Sequence, residues 1–357
     1  MSSHTNDVGH ALVLGMTGSG KSFLLNCLVT HAQKYRPYTF ILDVGGSYRW
    51  ITQAINGSYI SVGRGDLPFS INPYALKRTP ANKQVQFDLP KLLIELRGQR
   101  MNEDEDKELF DAVEALFVLD KDQRRLGTLA TTLGPALGKH LQRWTAGGQY
   151  GSWFDNIEDT VSYARFQCID FEGIENIGAA LEPLLFYILH RINDVVSDPA
   201  LGTEFKLCVV DEAWRFCANP VTRAYIATAL RTWRKKNGAM ILATQSMGDL
   251  TDTEALRPIL DNCPTMILLA NPGLDSRLYG DVLRLTAREQ ERVRGLLPKR
   301  QFLLKQGGVS KILNLEVDER SYWLYTTDPF EAKRRDDAIA VTGSLDAALD
   351  LLTGGSK

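Results

Sequence analysis

Long hydrophobic runs are missing from this chain of 357 residues. Its longest apolar stretch, residues 181–192, contains His190 and Arg191 and falls short of the roughly 18 apolar residues that a membrane-spanning helix needs. The first residues are polar, and no apolar segment follows a charged start, so the pattern of a secretory signal peptide is absent as well. The sequence therefore predicts neither a membrane span nor an export signal.

Cysteine is scarce and the charges nearly cancel. The five cysteines are scattered, without a C-x-x-C pair or a zinc-like spacing to the five histidines, which favours buried, reduced thiols of a cytosolic protein. The formal net charge of −2 gives no basic footprint for nucleic acid. Apolar residues make up 44% of the chain and charged residues 24%, which is typical of a globular protein.

Residues 15–22 read Gly-Met-Thr-Gly-Ser-Gly-Lys-Ser and follow the apolar run Ala11–Leu14. They fit the pattern G-x-x-x-x-G-K-[ST] in the setting that it needs, after a strand and before a helix, here predicted over 23–31. Glycines let the backbone turn tightly, so that its N–H groups converge on phosphate oxygens. A glycine-rich turn with a surface lysine is the plain alternative.

We therefore predict a nucleoside triphosphate site at this loop. Lys21 would contact the β- and γ-phosphates, and the Ser22 hydroxyl would contact Mg²⁺. The positive end of the following helix favours the same anion. The nucleotide-binding residues of this prediction are Gly15, Thr17, Gly18, Ser19, Gly20, Lys21 and Ser22.

A pair of carboxylates, Asp211 and Glu212, directly follows the four apolar residues 207–210. On a buried parallel strand this places Asp211 at the carboxyl end, where ligands of open α/β sheets bind. We predict that Asp211 holds Mg²⁺, directly or through water. Glu212 is then placed to orient and deprotonate the attacking water.

Gln245 follows another apolar strand, predicted over 239–243. An amide at this place can sense the γ-phosphate or hold the attacking water in line. The alternative is a strand end that caps the next helix.

The basic stretch 231–236 lies on the helix between these two strands. It fits a solvated helix end, favoured by the helix dipole and closed by Gly238. It also fits an arginine finger, in which a guanidinium offered to the γ-phosphate of a neighbouring subunit stabilises charge in the transition state. Composition alone favours the solvated end.

Strands and helices alternate along the chain, which predicts a mostly parallel sheet with helices on both faces. Strands are predicted over 11–14, 39–43, 59–62, 69–72, 166–171, 205–210, 239–243 and 265–269, with a terminal hairpin over 301–305 and 309–315. Helical stripes fill 82–144, and one long helix covers 176–196. We expect an α/β domain over 1–80 and 164–327, an all-helical insertion over 81–163, and a C-terminal helical tail over 328–357.

Further stretches carry a resemblance to a known family. They read Asp-Val-Gly-His at 7–10, Ser-Ile-Asn-Pro-Tyr at 70–74, Gly-Gly-Gln-Tyr-Gly at 147–151 with Phe-Asp at 154–155, Val-Asp-Glu-Ala-Trp at 210–214, Arg-Lys-Lys-Asn-Gly at 234–238 and Ala-Thr-Gln-Ser at 243–246. With them the chain resembles, from Asp7 to about Asp328, the type IV secretion ATPases of the VirB-four/TrbE class. These belong to the HerA–FtsK branch of RecA-like motors.

The resemblance implies a RecA-like P-loop domain with an all-helical subdomain, ATP and Mg²⁺ as ligands, and homo-hexameric rings at the cytoplasmic face of the inner membrane. Such rings work with other type IV secretion components and power pilus assembly and conjugative transfer. Members usually carry a large N-terminal domain that contacts the membrane complex. These 357 residues do not include it, so we expect membrane contact only through partners or through such a domain.

The same resemblance assigns a role to each residue already singled out. These roles are phosphate and Mg²⁺ binding for Lys21 and Ser22, metal binding for Asp211, acid–base catalysis for Glu212, nucleotide sensing for Gln245, and the finger for Arg234 or, second, Arg231.

Two other functions stay open. A DNA-pumping ring, like the coupling proteins of conjugation, would need positive charge clustered on its pore loops. The candidate residues share a face only in part and are diluted by Glu289 and Glu291; they are Arg284, Arg288, Arg292 and Arg294. A nucleotide-gated assembly module with little turnover would have no need of a base at Glu212.

Overall fold

The computed structural model describes residues 9–62, 69–96, 98, 100–161, 164–173, 178–218, 220–245, 248 and 254–354. These residues form two compact units. The first unit lies within Met1–Tyr59, Ala164–Phe171 and Pro199–Lys357, and the second within Ile60–Tyr163 and Glu172–Asp198.

A nine-stranded sheet organises the first unit. Its strands are β1 (Ala11–Leu14), β2 (Tyr38–Asp43), β3 (Ser58–Ser61), β4 (Phe166–Asp170), β5 (Lys206–Val210), β6 (Gly238–Thr244), β7 (Thr265–Leu269), β8 (Gln301–Gln306) and β9 (Val309–Asn314). Their spatial order is β3-β4-β2-β5-β6-β1-β7-β8-β9. From β4 to β7 in this order all neighbours are parallel, and β8 and β9 form the antiparallel hairpin. The predicted fold class is confirmed.

The helices connect these strands or build the second unit. They are α1 (Lys21–Ala32), α2 (Arg49–Ala54), α3 (Pro80–Glu95), α4 (Glu103–Leu116), α5 (Leu126–Thr132), α6 (Pro135–Leu141), α7 (Gly151–Phe154), α8 (Leu181–Ser197), α9 (Ala213–Ala218), α10 (Pro220–Thr232), α11 (Leu256–Asn262), α12 (Ala287–Arg294), α13 (Glu319–Tyr325), α14 (Pro329–Thr342) and α15 (Leu345–Leu352). In the part of the chain that the structure describes, none of them is long and apolar enough to cross a bilayer.

The central strands are continuous apolar runs because both faces of the sheet are covered. On one face, Val13, Ile41 and Val209 share a core cluster with residues of α1 and α2. The alternate residues of the same strands, such as Leu12 and Val210, are buried as well. Because packing on both faces holds each central strand in place, the loops that follow these strands begin at fixed positions.

One predicted strand is wrong. Residues 69–72 form no strand and pair with no strand among the described residues. The Ser70 N–H donates to Thr160 Oγ1 at 2.8 Å, and the Ile71 N–H donates to the Trp153 carbonyl at 2.8 Å. The side chain of Asn72 accepts from the Tyr74 N–H at 3.0 Å and caps a 3₁₀ turn. A carbonyl of α7 and a loop residue, Thr160, therefore satisfy this backbone in place of a sheet neighbour.

The glycine-rich motif at 147–151 builds the core of the second unit. The Trp144 side chain is fully buried, with its ring centroid 4.8 Å from that of Tyr150 and 4.9 Å from that of Phe154. A Cβ at Gly148 or at Gly151 would lie 2.2 Å from a backbone carbonyl oxygen. These two glycines are therefore required by packing, and the motif is structural.

The boundaries of the two units differ from the expected domain boundaries in three places. The second unit begins at Ile60, where the helical insertion was expected to begin at residue 81. Helix α8, predicted to begin at 176, starts at Leu181 after a 3₁₀ turn over Gly178–Ala180; residues 174–177 lie outside the described ones. It packs on α3 and so belongs to the helical unit. The expected tail over 328–357 forms no separate domain, because its helices pack with α13, and α13 packs on α1 through Phe23, Tyr322 and Tyr325.

His10, which precedes β1, is a buried structural residue rather than a ligand. Its ring is 2% exposed, and Nδ1 accepts a hydrogen bond from the Met240 N–H at 2.9 Å. Burial and the nearby charge of Arg234 lower the pKa of His10 below its ordinary value of 6.5. The folded chain therefore holds the neutral ring at pH values where the unfolded chain already takes up a proton.

We expect this histidine to destabilise the fold in acid. The stabilisation is fully present above pH 6.5 and is lost as the pH falls through the lowered pKa, by at most about 1.4 kcal/mol per pH unit. In His10→Asn the Oδ1 atom can still accept from Met240, but the side chain does not titrate. Urea unfolding between pH 7.5 and 5.5 should show a smaller loss of stability for the variant than for the wild type. Equal slopes would contradict the assignment.

Candidate active site

Three neighbouring parallel strands bring the predicted site residues to one edge of the sheet. Strand β6 lies between β1 and β5, with Leu14 opposite Thr244 and Leu242 opposite Val210. Because parallel strands share one polarity, the residues that follow them meet at the same edge. This arrangement makes neighbours of the phosphate loop after β1, Gln245 after β6 and the Asp211–Glu212 pair after β5. Strand β6 lies in the middle of the three.

The phosphate loop has the shape of an anion cradle. Gly18 and Gly20 have φ angles of 79° and 95°, which only glycine adopts readily, and Gly20 is the N-cap of α1. A Cβ at Gly15 would lie 2.6 Å from Ser19 Oγ. The Ser19 hydroxyl is buried and has no hydrogen-bond partner among the described residues. An unpaired buried hydroxyl in a close-packed glycine loop fits the oxygens of a phosphate.

Lys21 is buried and bridges the two carboxylates. Its Nζ lies 2.6 Å from Asp211 Oδ1 and also pairs with Glu212 Oε1, and its side chain is 5% exposed. One positive charge thus faces two negative charges, and all three side chains are largely buried. This imbalance favours the arrival of a further cation beside Asp211.

The two carboxylates are held in place by their neighbours. The Tyr48 hydroxyl donates to Asp211 Oδ2 at 3.0 Å, and burial raises the pKa of Tyr48 well above its ordinary value, so the hydroxyl keeps its proton. Trp214 Nε1 donates to Glu212 Oε2 at 3.0 Å. Glu212 has a φ of 51°, a left-handed conformation that costs a residue with a Cβ about 1–2 kcal/mol. Strain of this kind is concentrated at functional sites.

Gln245 connects the phosphate loop with Glu212. Its side-chain oxygen accepts from Thr17 Oγ1 at 2.5 Å, and its Nε2 donates to Glu212 Oε1 at 2.5 Å. A change at the loop can therefore reach the carboxylate through a single amide. This contact goes beyond the helix cap that was the alternative for this residue.

The donor set beside the loop fits Mg²⁺. The carboxylate of Asp211 and the hydroxyl of Ser22 are hard oxygen ligands. Among the described residues no cluster of three or more histidine, cysteine, aspartate or glutamate side chains could hold a metal ion. Mg²⁺ is usually held by one or two carboxylates together with phosphates and water, so such a sparse site is what it needs.

A cavity of about 370 Å³ opens over the phosphate loop. Besides the loop and Gln245, it is lined by residues that no sequence motif indicated, which are Phe23, Lys299, Tyr322, Thr326, Thr327, Asp328 and Pro329. Lys299 precedes β8, Tyr322 lies on α13, and residues 326–329 lead from α13 into α14. Asp328 and Pro329, the first residues of the expected C-terminal tail, thus line this cavity.

The two arginines of the basic stretch are not at this edge. Arg231 ends α10, and Arg234 lies in the 3₁₀ helix Trp233–Lys236 just before β6. Both are exposed. Because β6 runs from Gly238 toward Gln245, these arginines lie at the opposite edge of the sheet from the chain's own phosphate loop. A guanidinium from here could reach a γ-phosphate only in another subunit.

Comparison with known proteins finds clear relatives. The model of the TraG P-loop domain family matches residues 2–128 and 148–355. The type IV secretion system protein virB4 of Bartonella henselae is 30% identical over 325 residues, which cover 88% of this chain and 40% of that protein. The chain thus spans about two fifths of the length of this curated relative. The resemblance inferred from the motifs is confirmed.

Solved structures share the fold. VirB4 of Thermoanaerobacter pseudethanolicus superposes with a TM-score of 0.67 at 19% identity, over 90% of each chain. The plasmid coupling protein TrwB, in complex with a non-hydrolysable ATP analogue, superposes with a TM-score of 0.56 at 16% identity, over 87% of this chain and 85% of that one. The P-loop fold predicted from the sequence is therefore the fold of these proteins.

Proposed function

Because the chain belongs to the TraG P-loop domain family, we propose that it is an ATPase motor that energises type IV secretion, conjugative transfer and pilus assembly. The observation that carries this proposal is the contact of Lys21 with both Asp211 and Glu212 beside the phosphate loop. A module that only binds nucleotide needs the lysine and the metal ligand. It has no use for a second carboxylate held by a tryptophan and a glutamine.

The proposed mechanism gives each side chain one task. Lys21 exchanges its two carboxylates for oxygens of the β- and γ-phosphates, which frees Glu212 to accept a proton from the attacking water. Gln245 orients that water, since its amide already contacts Glu212 and the loop. Ser22 and Asp211 would hold Mg²⁺, which when bound neutralises charge on the phosphate oxygens.

The arginines complete the site only in an assembly. We propose a homo-hexameric ring in which Arg234, or second Arg231, enters the neighbouring subunit's site as an arginine finger. Their exposed position at the far edge of the sheet supports a role between subunits. The other type IV secretion components are the proposed partners, and contact with the cytoplasmic face of the inner membrane would be through them or through a further domain.

Nucleotide binding is the first test. Lys21→Met should lower the affinity for a fluorescent ATP analogue by about 10–100-fold, because it removes a charged donor to the phosphates. Lys333→Met, on the exposed face of α14, is the matched control and should bind like the wild type. An unchanged affinity for Lys21→Met would argue for the plain glycine turn.

A DNA-pumping ring is the second candidate, and one observation favours it. Glu289 does not dilute the positive surface of α12, because its side chain is buried, caps the helix and pairs with Lys305 at 3.0 Å. Arg288 on α12 and Arg284 just before the helix are exposed, although Glu291 on α12 is exposed as well. Steady-state hydrolysis titrated with single- and double-stranded DNA decides between the two. Strong stimulation supports DNA pumping, and a rate indifferent to DNA supports a motor acting on protein.

A further inference from the structure

Lys299 lies against the phosphate loop although no motif indicates it. Its backbone N–H donates to the Ser19 carbonyl at 2.9 Å. Its Cα lies 3.0 Å from the place where a Cβ on Gly20 would be. Lys299 also has a φ of 62°, so its backbone is held in a left-handed conformation that is unfavourable for a residue with a Cβ. The surrounding contacts thus hold this residue beside the loop in an unfavourable backbone conformation.

The Lys299 side chain lines the same cavity as Lys21. These are the two cations among the described residues that line it. A nucleoside polyphosphate carries several negative charges, more than the single charge of Lys21 neutralises even after its two carboxylates are exchanged for phosphate oxygens. Lys299, 57% exposed at its side chain, has charge available for an incoming anion.

Asp328 forms an ion pair with Lys299 that a phosphate could replace. Lys299 Nζ lies 3.5 Å from Asp328 Oδ2, and the other oxygen, Oδ1, accepts from the backbone N–H groups of Phe330 and Glu331. The two oxygens have separate tasks, since Oδ1 caps α14 and Oδ2 meets the lysine. Because both side chains reach solvent, water screens this ion pair and weakens it. Its loss is therefore easily offset by a stronger contact.

We propose that Lys299 is a second phosphate-binding cation, which exchanges Asp328 for an oxygen of the α- or β-phosphate of a bound nucleoside di- or triphosphate. The assignment to these phosphates follows from the contacts at Ser19 and Gly20, because the backbone of such a loop cradles the α- and β-phosphates. The inference rests on the proposed nucleotide site. It gives Lys299, a residue outside the sequence motifs, a direct part in nucleotide binding.

The test is equilibrium binding of fluorescent ADP and fluorescent ATP to the full chain. Lys299→Gln should weaken both nucleotides by about tenfold, because both carry the contacted phosphates. Asp328→Asn should tighten both by about 2–5-fold, because it removes the competing charge. Asparagine is as good an N-cap as aspartate, so the cap of α14 is retained. In the Lys299→Gln background the Asp328→Asn change should have no effect.

Lys333→Gln is the matched control, since Lys333 also pairs with an aspartate on α14 but lies outside the cavity. The proposal is overturned if Lys299→Gln binds both nucleotides like Lys333→Gln. It is equally overturned if Asp328→Asn tightens binding without Lys299. A loss confined to ATP would place the contact on the γ-phosphate and contradict the assignment. Failure of the nucleotide site itself looks different, because the wild type would then bind neither nucleotide.

Discussion

The Glu212→Gln variant is expected to bind ATP at least as tightly as the wild type and to hydrolyse it about 10²–10⁴-fold more slowly. The loss follows because an amide cannot accept the proton of the attacking water. Binding is retained because the variant removes one of the two carboxylates that compete with phosphate for Lys21. The new side chain can still accept from Trp214, so the strained turn at residue 212 keeps its support.

A variant that binds ATP normally but hydrolyses it slowly identifies Glu212 as the base. Fluorescent ATP binding and steady-state phosphate release, measured on the same preparation, provide the two values. Glu204→Gln removes a half-buried glutamate that pairs with Arg165 at 3.0 Å and should leave both values unchanged. Full activity of Glu212→Gln would remove this carboxylate from the mechanism, and the switch-like assembly module would then be the better account.

Mixing two inactive variants is expected to restore hydrolysis. Arg234→Ala should lower kcat by about 10³-fold or more while nucleotide affinity stays near the wild-type value, as expected when a finger in trans is lost. In a mixed ring the Arg234→Ala subunit still has its own Glu212. A neighbouring Glu212→Gln subunit still has Arg234, so the two together form complete sites.

The experiment compares phosphate release by each variant alone with that by an equimolar mixture. Recovery of a sizeable fraction of wild-type activity is the expected result. Arg257→Ala, which removes an arginine 93% exposed at its side chain on α11, is the control and should stay active. Recovery with Arg231→Ala in place of Arg234→Ala would assign the finger to Arg231. Full activity of both arginine variants alone would exclude a finger from this stretch.

The half of the site around Lys21 could be predicted from the sequence because the residues that form it are consecutive in the chain. A strand, a glycine loop and a helix follow each other without interruption, and the loop composition dictates the backbone shape. Asp211 and Gln245 each follow an apolar run, and the shared polarity of parallel strands is enough to bring them to the loop. The order of the strands, with β6 between β1 and β5, could not be predicted from the sequence and is known from the structure.

The other wall of the cavity carries no local signal. Lys299 is an ordinary lysine in a loop, and its position depends on a backbone contact to Ser19, 280 residues earlier in the chain. Tyr322 reaches the cavity because α13 packs on α1, a contact that periodicity does not reveal. The same limitation applies to residues 69–72, whose backbone bonds to α7 and Thr160 instead of to a strand. It also applies to α8, whose packing on α3 places it in the helical unit.

The most direct test of the proposed motor is phosphate release from ATP by the wild-type chain, measured with Mg²⁺ over a range of protein concentrations. The site geometry predicts saturable, Mg²⁺-dependent release, and a finger in trans predicts that the rate per chain rises with concentration as rings assemble. Glu212→Gln sets the background. Absence of phosphate release at every protein concentration, or equal release from Glu212→Gln, would contradict the account.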